Sequence, residues 1–315
     1  MKAVAILGPT ASGKTALSLS LAARLGGEIL ACDSMQVYRG LDIGTAKPTR
    51  EERALCPHHL IDIADPDIPF SAADYAAAAM ACVREVCARG RVPIFCGGTG
   101  LYLDAVRTLR HEDSAPPPDP ELRARLAARA ETEEGKEELY RELSKVDPAS
   151  AAATHPHNTR RVIRALEIYL TTGKTKTTFD REAQTKNPDL DLFLIGLTYR
   201  DRETLYRRID DRVDAMMAAG LLQETKRLAE EGLFRKNATA AAAIGYKELL
   251  PYLSGAMPLP DAVAALKTAT RRYAKRQLTY FRRLSDVHWL TCDGKTADAL
   301  ADEILPLLRA YLANA

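Results

Sequence analysis

The sequence predicts an α/β protein whose core is a parallel sheet flanked by helices, with an all-helical insertion in the middle of the chain. In the first 115 residues and again after residue 190, short apolar runs alternate with helical patterns, as expected for strands joined by helices. From residue 116 to 190, charged helical patterns follow one another with no strand between them. We therefore predict a discontinuous core, residues 1–115 and 191–315, and an insertion domain, residues 116–190.

The composition is typical of a protein with a full hydrophobic core: 46% of the 315 residues are apolar and 27% are charged. The net charge is only +2, so a polyanionic partner has to be met by a local patch of cations. None of the six cysteines forms a C-x-x-C pair, which argues against a zinc site. No signal peptide and no run of membrane-spanning length is visible, so we expect a cytoplasmic protein without membrane association.

The most informative motif is a glycine-rich loop between the first predicted strand and the first predicted helix, which makes the core P-loop-type. It fits the phosphate-binding pattern G-x-x-x-x-G-K-[ST], with the residues Gly8, Pro9, Thr10, Ala11, Ser12, Gly13, Lys14 and Thr15. Backbone N–H groups at the helix start favour an anion, Lys14 adds a positive charge, and the Thr15 hydroxyl can hold Mg²⁺. The alternative is a glycine-rich turn that binds nothing. The strand and the helix favour phosphate binding, but they leave the compound open.

Two further strands end on polar residues that can carry chemistry. The strand at residues 28–32 runs into Asp33, which lies where open α/β sheets bind ligands, although a turn or helix cap is the simpler interpretation. The strand at residues 92–96 ends on Gly-Gly-Thr, so Thr99 supplies a neutral hydroxyl there. Nucleotide hydrolases often end this strand on an acid that helps to hold Mg²⁺, and its absence weakens an ATPase or GTPase interpretation.

The rest of the chain supplies candidate cationic surfaces. Proline-rich residues 116–120 are the predicted domain boundary, and helices follow at residues 121–131, 134–146 and about 159–170. The arginines of a helix at residues 201–219 are interpreted as a solvated face. A last long helix, residues 261–284, has six cations on one side, which is either a polyphosphate-binding surface or another solvated face: Arg271, Arg272, Lys275, Arg276, Arg282 and Arg283.

Taken together, these motifs resemble the tRNA dimethylallyltransferase (tRNA isopentenyltransferase) family in its short bacterial form. The match runs in order from residue 4 to about residue 290. The phosphate loop is shared with many enzymes, whereas the stretches D-S-x-Q-x-Y and G-G-T-G-L-Y are specific in combination. The matching motifs begin at Gly8, Asp33, Gly44, His58, Gly97, Arg164, Ile244 and Lys275.

The resemblance implies that a dimethylallyl group moves from its diphosphate to the exocyclic amine of the tRNA adenine 3′-adjacent to the anticodon. Asp33 is then the general base, Thr99 reaches the phosphate and the reacting centre, and Mg²⁺ is the expected cofactor at Thr15. The enzyme is expected to act as a monomer. The implied tRNA-binding residues, together with two cations of the last long helix, are Asp33, Ser34, Met35, Gln36, Thr99, Arg123, Arg160, Arg161, Arg164, Ala242, Ala243, Ile244, Gly245, Tyr246, Lys247, Arg272 and Arg276.

Three alternatives stay open at this point. A small-molecule kinase would use the same loop for ATP, but it leaves the basic helix and the residues after Asp33 unexplained. A prenyltransferase acting on free adenine nucleotides has less use for a basic helix. A non-catalytic RNA-binding module does not need Lys14 and Thr15.

Overall fold

The computed structural model describes residues 1–108, 119–182 and 185–314, apart from the side chain of Ala238. Residues Met1–Asp104 and Pro188–Ala315 form one compact unit, and Ala105–Asn187 form a second. The prolines at 116–118, which belong to the predicted domain boundary, lie outside the described residues.

The first unit is built on a parallel sheet, as predicted. Its order is β3-β2-β4-β1-β5-β6, and every neighbouring pair is parallel. Because β1, β2 and β4 run in the same direction, their carboxyl ends bring the phosphate loop, Asp33 and Thr99 to one edge of the sheet. The strands are β1 (Lys2–Leu7), β2 (Gly27–Ala31), β3 (His58–His59), β4 (Val92–Cys96), β5 (Asp191–Thr198) and β6 (Val287–Thr291).

Helices connect and cover these strands in the order that the sequence pattern indicates. Helix α3 starts with a capping box in which Ser71 and Asp74 bond each other's backbone N–H groups. In chain order, the helices up to the insertion are α1 (Lys14–Leu25), α2 (Arg50–Leu55), α3 (Ala72–Ala88) and α4 (Gly100–Arg107).

The insertion is helical throughout its described residues, and it has a core of its own. The third predicted helix packs there: Val162, Ile163 and Leu166 are buried against Leu122 and Leu139. Two short helices fall in segments where the sequence analysis predicts none. The insertion helices are α5 (Pro120–Arg129), α6 (Glu133–Val146), α7 (Pro148–Ala152), α8 (Thr159–Thr172) and α9 (Lys176–Glu182).

The remaining helices belong to the first unit. Helix α16 packs with α1 on one face of the sheet, where Leu17, Leu21 and Ile304 join the strand residues Val4 and Ile6 in a buried cluster. These helices are α10 (Arg202–Ala218), α11 (Leu221–Glu230), α12 (Leu233–Lys236), α13 (Ala238–Ala241), α14 (Leu250–Leu253), α15 (Leu259–Phe281) and α16 (Ala297–Ala313). In the part of the chain that the structure describes, no helix combines the length and the apolar character needed to cross a bilayer.

Candidate active site

The phosphate loop presents an uncapped helix N-terminus. Gly13 is the N-cap residue of α1 with φ +92°, a conformation that favours glycine. No side chain caps this end, and no acidic residue occupies the first turn. By contrast, Ser71 caps α3 and Thr296 caps α16. The first N–H groups of α1 are therefore available to an anion.

Lys14 lies folded back over the loop. Its Nζ donates hydrogen bonds to the carbonyl oxygens of Gly8 (3.0 Å) and Pro9 (2.8 Å). Desolvation lowers the pKa of the Lys14 ammonium to about 8; the Arg212 charge acts in the same direction, and Asp33 opposes it. An anionic ligand would raise the pKa of Lys14 again, because it favours the charged ammonium. The free site therefore favours the binding of an anion.

Two arginines of α10 reach this site, contrary to the solvated face that the sequence analysis assigned to them. Arg208 donates from Nε to the Ala11 carbonyl at 3.0 Å. Burial lowers the pKa of Arg212, while the negative charge of Asp33 raises it. Arg212 therefore interacts electrostatically with this carboxylate. Among the described residues, Arg212 has no hydrogen-bond or ion-pair partner. Both positions face the loop because they lie one turn apart on a helix that follows β5, the strand beside β1.

Asp33 has one anchored and one uncommitted carboxylate oxygen. Oδ1 accepts hydrogen bonds from the backbone N–H groups of Met35 (2.9 Å) and Gln36 (3.4 Å). Oδ2 accepts none from the described residues. The turn interpretation is therefore correct for Oδ1, and it does not exclude chemistry at Oδ2.

Thr99 lies directly against the segment that carries Asp33. Its Oγ1 accepts from the backbone N–H of Ser34 at 3.0 Å and is 3.4 Å from the Ser34 hydroxyl. The Thr99 N–H donates to the Cys32 carbonyl at 3.1 Å. The close approach of the two strand ends needs glycine, because a Cβ at Gly97 would lie 2.0 Å from the Cys32 oxygen.

The protein ligand that the sequence predicts for a cation here is the hydroxyl oxygen of Thr15. The Thr15 hydroxyl is partly exposed and makes no hydrogen bond to the described residues. No group of three or more His, Cys, Asp or Glu side chains with metal-binding geometry occurs among those residues. Thr15 thus fits a hard cation that takes most of its oxygen ligands from a bound diphosphate and water.

The structure brings two of the predicted RNA-binding stretches together. Ile244 and Lys247 line a groove of about 530 Å³ with Arg272 and Arg276 of α15. The groove is also lined by small side chains of the same helix: Ala264, Ala265, Thr268 and Ala269.

The same stretch also requires a correction. Tyr246 and Ala243 are buried, at 0% and 6% exposure, so their side chains are not available to a ligand. They support the segment, whereas Ala242 and Lys247 are exposed on it.

The cationic side of α15 is smaller than the six residues that the sequence suggested. Arg271 pairs with Asp210 of α10, and is therefore structural. Arg276 lies over the ring of Tyr273, with the guanidinium carbon 5.6 Å from its centre. Five exposed cations form no ion pair with the residues that the structure describes: Arg272, Lys275, Arg276, Arg282 and Arg283, the last of which lies over the Tyr280 ring at 4.0 Å.

In the insertion, two of the predicted RNA-binding arginines have an internal partner. Glu167 is fully buried and accepts hydrogen bonds from Arg123 and Arg164, both at 2.8 Å. Burial alone would raise the pKa of Glu167, but these guanidiniums and the Asp119 N–H leave it lowered. Arg160 and Arg161 are exposed and form no ion pair within the described part of the chain.

The fold and the site together define a phosphate-loop α/β transferase with an uncommitted carboxylate beside the loop. A family model described as IPP transferase matches residues 36–284, and one described as isopentenyl transferase matches residues 1–64. The chain belongs to the IPP transferase family, which confirms the family that the motifs predicted.

Relatives and solved structures agree with this assignment. The tRNA dimethylallyltransferase of Geobacillus kaustophilus is 49% identical over 288 residues, 91% of this chain and 90% of the relative. A crystal structure of the tRNA isopentenylpyrophosphate transferase of Bacillus halodurans is 44% identical, with a TM-score of 0.72 over 99% of this chain and 97% of that one. A structure of a eukaryotic dimethylallyltransferase acting on tRNA is 31% identical, with a TM-score of 0.82 over 99% and 80% of the two chains.

Proposed function

We propose that this protein transfers a dimethylallyl group from dimethylallyl diphosphate to the exocyclic amine of the tRNA adenine 3′-adjacent to the anticodon, releasing diphosphate. The observation that carries the proposal is the free Oδ2 of Asp33 beside a cationic phosphate loop. A nucleotide hydrolase or a kinase does not transfer a group to an amine, so it would not need a base here that removes a proton from one. The names of the relatives support both substrates.

The phosphate loop binds the diphosphate in this proposal. The allylic C–O bond breaks and its electron pair leaves with the diphosphate, so negative charge grows on the phosphate oxygens. The N–H groups of α1, Lys14 and Arg212 already direct positive charge at that place, which stabilises the transition state without reorganisation. Mg²⁺ on Thr15 would add charge neutralisation when it is bound.

Asp33 acts on the other partner. The amine nitrogen of the adenine forms the new bond to the allylic carbon, and Oδ2 takes the proton that the nitrogen loses. Oδ1 stays on the Met35 N–H, so the carboxylate is held in place during the transfer. The Thr99 hydroxyl, which contacts the Asp33 segment, orients the reacting groups.

The adenine has to leave its stack to reach Asp33, and this requires a surface that holds the surrounding RNA loop. In the first unit we assign that role to the side chains next to Asp33 and to cations of that unit, and we assign separate contacts with the tRNA to cations of the insertion. In the first unit these are Ser34, Met35, Gln36, Lys247, Arg272 and Arg276, and in the insertion Arg123, Arg160, Arg161 and Arg164. The protein is proposed to act on tRNA as a cytoplasmic monomer.

Labelled dimethylallyl diphosphate tests the proposal when it is offered with tRNA, AMP and ATP in separate reactions. We expect label on tRNA alone, and on the adenine next to the anticodon after nuclease digestion. Label on AMP or ATP would instead support a free-nucleotide prenyltransferase. ATP turnover with no prenyl transfer would support the kinase alternative.

A further inference from the structure

Glu224 of α11 is a buried carboxylate that has no cationic partner among the described residues. It is 8% exposed, and its two oxygens accept hydrogen bonds from the backbone N–H groups of Asp42 (3.1 Å), Ile43 (3.0 Å) and Gly44 (3.0 Å). The Tyr246 hydroxyl donates a further bond at 2.7 Å. Consecutive N–H groups of this kind form an anion-binding nest, which here is filled by a side chain of the protein itself. Burying a charge without such partners would lower the stability of the fold, so Glu224 depends on these particular hydrogen bonds.

The nest lies between two parts of the proposed RNA surface. On one side, Gln36 donates from Nε2 to the carbonyls of Thr45 (3.1 Å) and Ala46 (3.2 Å), which belong to the same loop as the nest. On the other side, the ring of Tyr246 packs on Gly44 so closely that a Cβ there would lie 2.4 Å from it. Glu224 therefore joins the segment of Gln36 to the segment that presents Ile244 and Lys247.

We propose that Glu224 is a positioning residue for the RNA substrate. It touches neither the RNA nor the diphosphate. It fixes the separation of two walls of the RNA-binding surface, the Gln36 segment and the segment of Ile244 and Lys247, and the RNA loop enters between them. This inference rests on the proposed function, because only an RNA substrate needs both walls at once. The phosphate loop is held by other contacts, so the binding of dimethylallyl diphosphate does not depend on Glu224.

Glu224→Gln tests this directly, with KM and kcat for each substrate as the readouts. The amide turns one acceptor into a donor that faces the N–H donors of the nest, so the loop and the Tyr246 segment separate. We expect KM for tRNA to rise roughly tenfold or more, about the effect of removing one or two hydrogen bonds to a charged group. kcat at saturating tRNA and KM for dimethylallyl diphosphate should stay within about threefold of wild type.

Tyr246→Phe supplies a second variant that removes one donor and keeps the ring. It should raise KM for tRNA in the same direction but less, and the double variant should be less impaired than the two single effects combined. If Glu224→Gln does not fold, Tyr246→Phe carries the same test with the same readouts.

Glu28→Gln is the matched control, because Glu28 is also a buried carboxylate but is bonded to Arg89 and His59. It should lower the midpoint of urea unfolding without changing KM for tRNA. Glu224 is purely structural if its variant behaves in the same way, and the inference is then overturned while the proposed function stands. A wild-type protein that transfers no label to tRNA would overturn both.

Discussion

Gln277 of α15 holds the phosphate loop through Thr10, whose backbone N–H donates to Gln277 Oε1 at 2.8 Å. The other end of the same amide, Nε2, donates to the Gly98 carbonyl at 3.0 Å. A Cβ at Gly98 would lie 2.0 Å from this nitrogen, so the two loops and the amide fit together only with glycine there. One buried side chain thus fixes the distance between the phosphate loop and the loop of Thr99.

Gln277→Met should therefore impair both stability and diphosphate binding. Methionine has a similar volume, but it leaves the Thr10 N–H and the Gly98 carbonyl without their partner. Each unsatisfied group costs about 1–3 kcal/mol, so the loss of both partners should lower the free energy of unfolding by about 2–6 kcal/mol. Since the loop is no longer held, KM for dimethylallyl diphosphate should also rise, as steady-state kinetics can measure.

Thr270→Val is the control on the same helix. The Thr270 hydroxyl donates to the Leu266 carbonyl within α15, at 2.8 Å, and within the described part of the chain it makes no hydrogen bond to either loop. Its removal should change stability slightly and leave KM for the diphosphate unaltered. If Gln277→Met also leaves KM unaltered, the amide stabilises α15 but does not shape the site.

Asp33→Asn should keep tRNA binding and abolish most turnover. The asparagine oxygen can still accept from Met35 and Gln36, so the turn survives, but the group at the position of Oδ2 can no longer take a proton. Loss of a general base typically lowers kcat by 10²–10⁴-fold, roughly the drop that we expect in single-turnover assays. A variant with near-normal kcat and intact tRNA affinity would remove Asp33 from the chemistry.

The pKa of Lys14 gives the affinity for dimethylallyl diphosphate a pH dependence. The free ammonium titrates with a pKa of about 8, and the diphosphate favours its charged form. Affinity should therefore be highest below this pKa and fall as the pH rises through it, by a factor approaching tenfold per pH unit. Calorimetry between about pH 7.5 and 9.5 should show proton uptake on binding.

Lys14→Arg separates this titration from that of the ligand, because the guanidinium stays charged over the same range. Its affinity should be nearly independent of pH there. Lys14→Ala should raise KM and lower kcat, since the interaction strengthens as the leaving group gains charge. A wild-type affinity that does not change between about pH 7.5 and 9.5 would contradict the role given to Lys14.

Most of the fold could be predicted because its strands are short apolar runs that alternate with helical patterns. The predicted bounds of β4 agree with the structure, and the parallel α/β architecture is confirmed. Strand β6, Val287–Thr291, was missed because this partly exposed edge strand has only five residues and, with His288 and Thr291 among them, no continuous apolar run. Helix α9 was missed because none of its residues is buried, so it carries no apolar pattern.

The site was predictable where the functional side chains and the turn that positions them lie in one stretch of sequence, as in the phosphate loop and around Asp33. It was not predictable where partners come from distant elements. Arg212 is one cation among several on α10, and only the packing of that helix shows that it faces Lys14 and Asp33. Glu224 is equally inconspicuous, since the N–H groups that it binds lie 180 to 182 residues away in the chain.

The last prediction concerns the basic side of α15. Arg272→Ala with Arg276→Ala should weaken tRNA binding and reduce the slope of log K against log salt by roughly 0.7–0.9 for each phosphate that is no longer neutralised. Arg271→Ala is the matched control: Arg271 pairs with Asp210, so its removal should lower thermal stability while the salt slope stays that of wild type. Filter binding across a salt series, with a melting curve for each variant, measures both quantities. If the double variant also melts earlier and keeps the wild-type slope, these cations are structural and the RNA has to bind elsewhere.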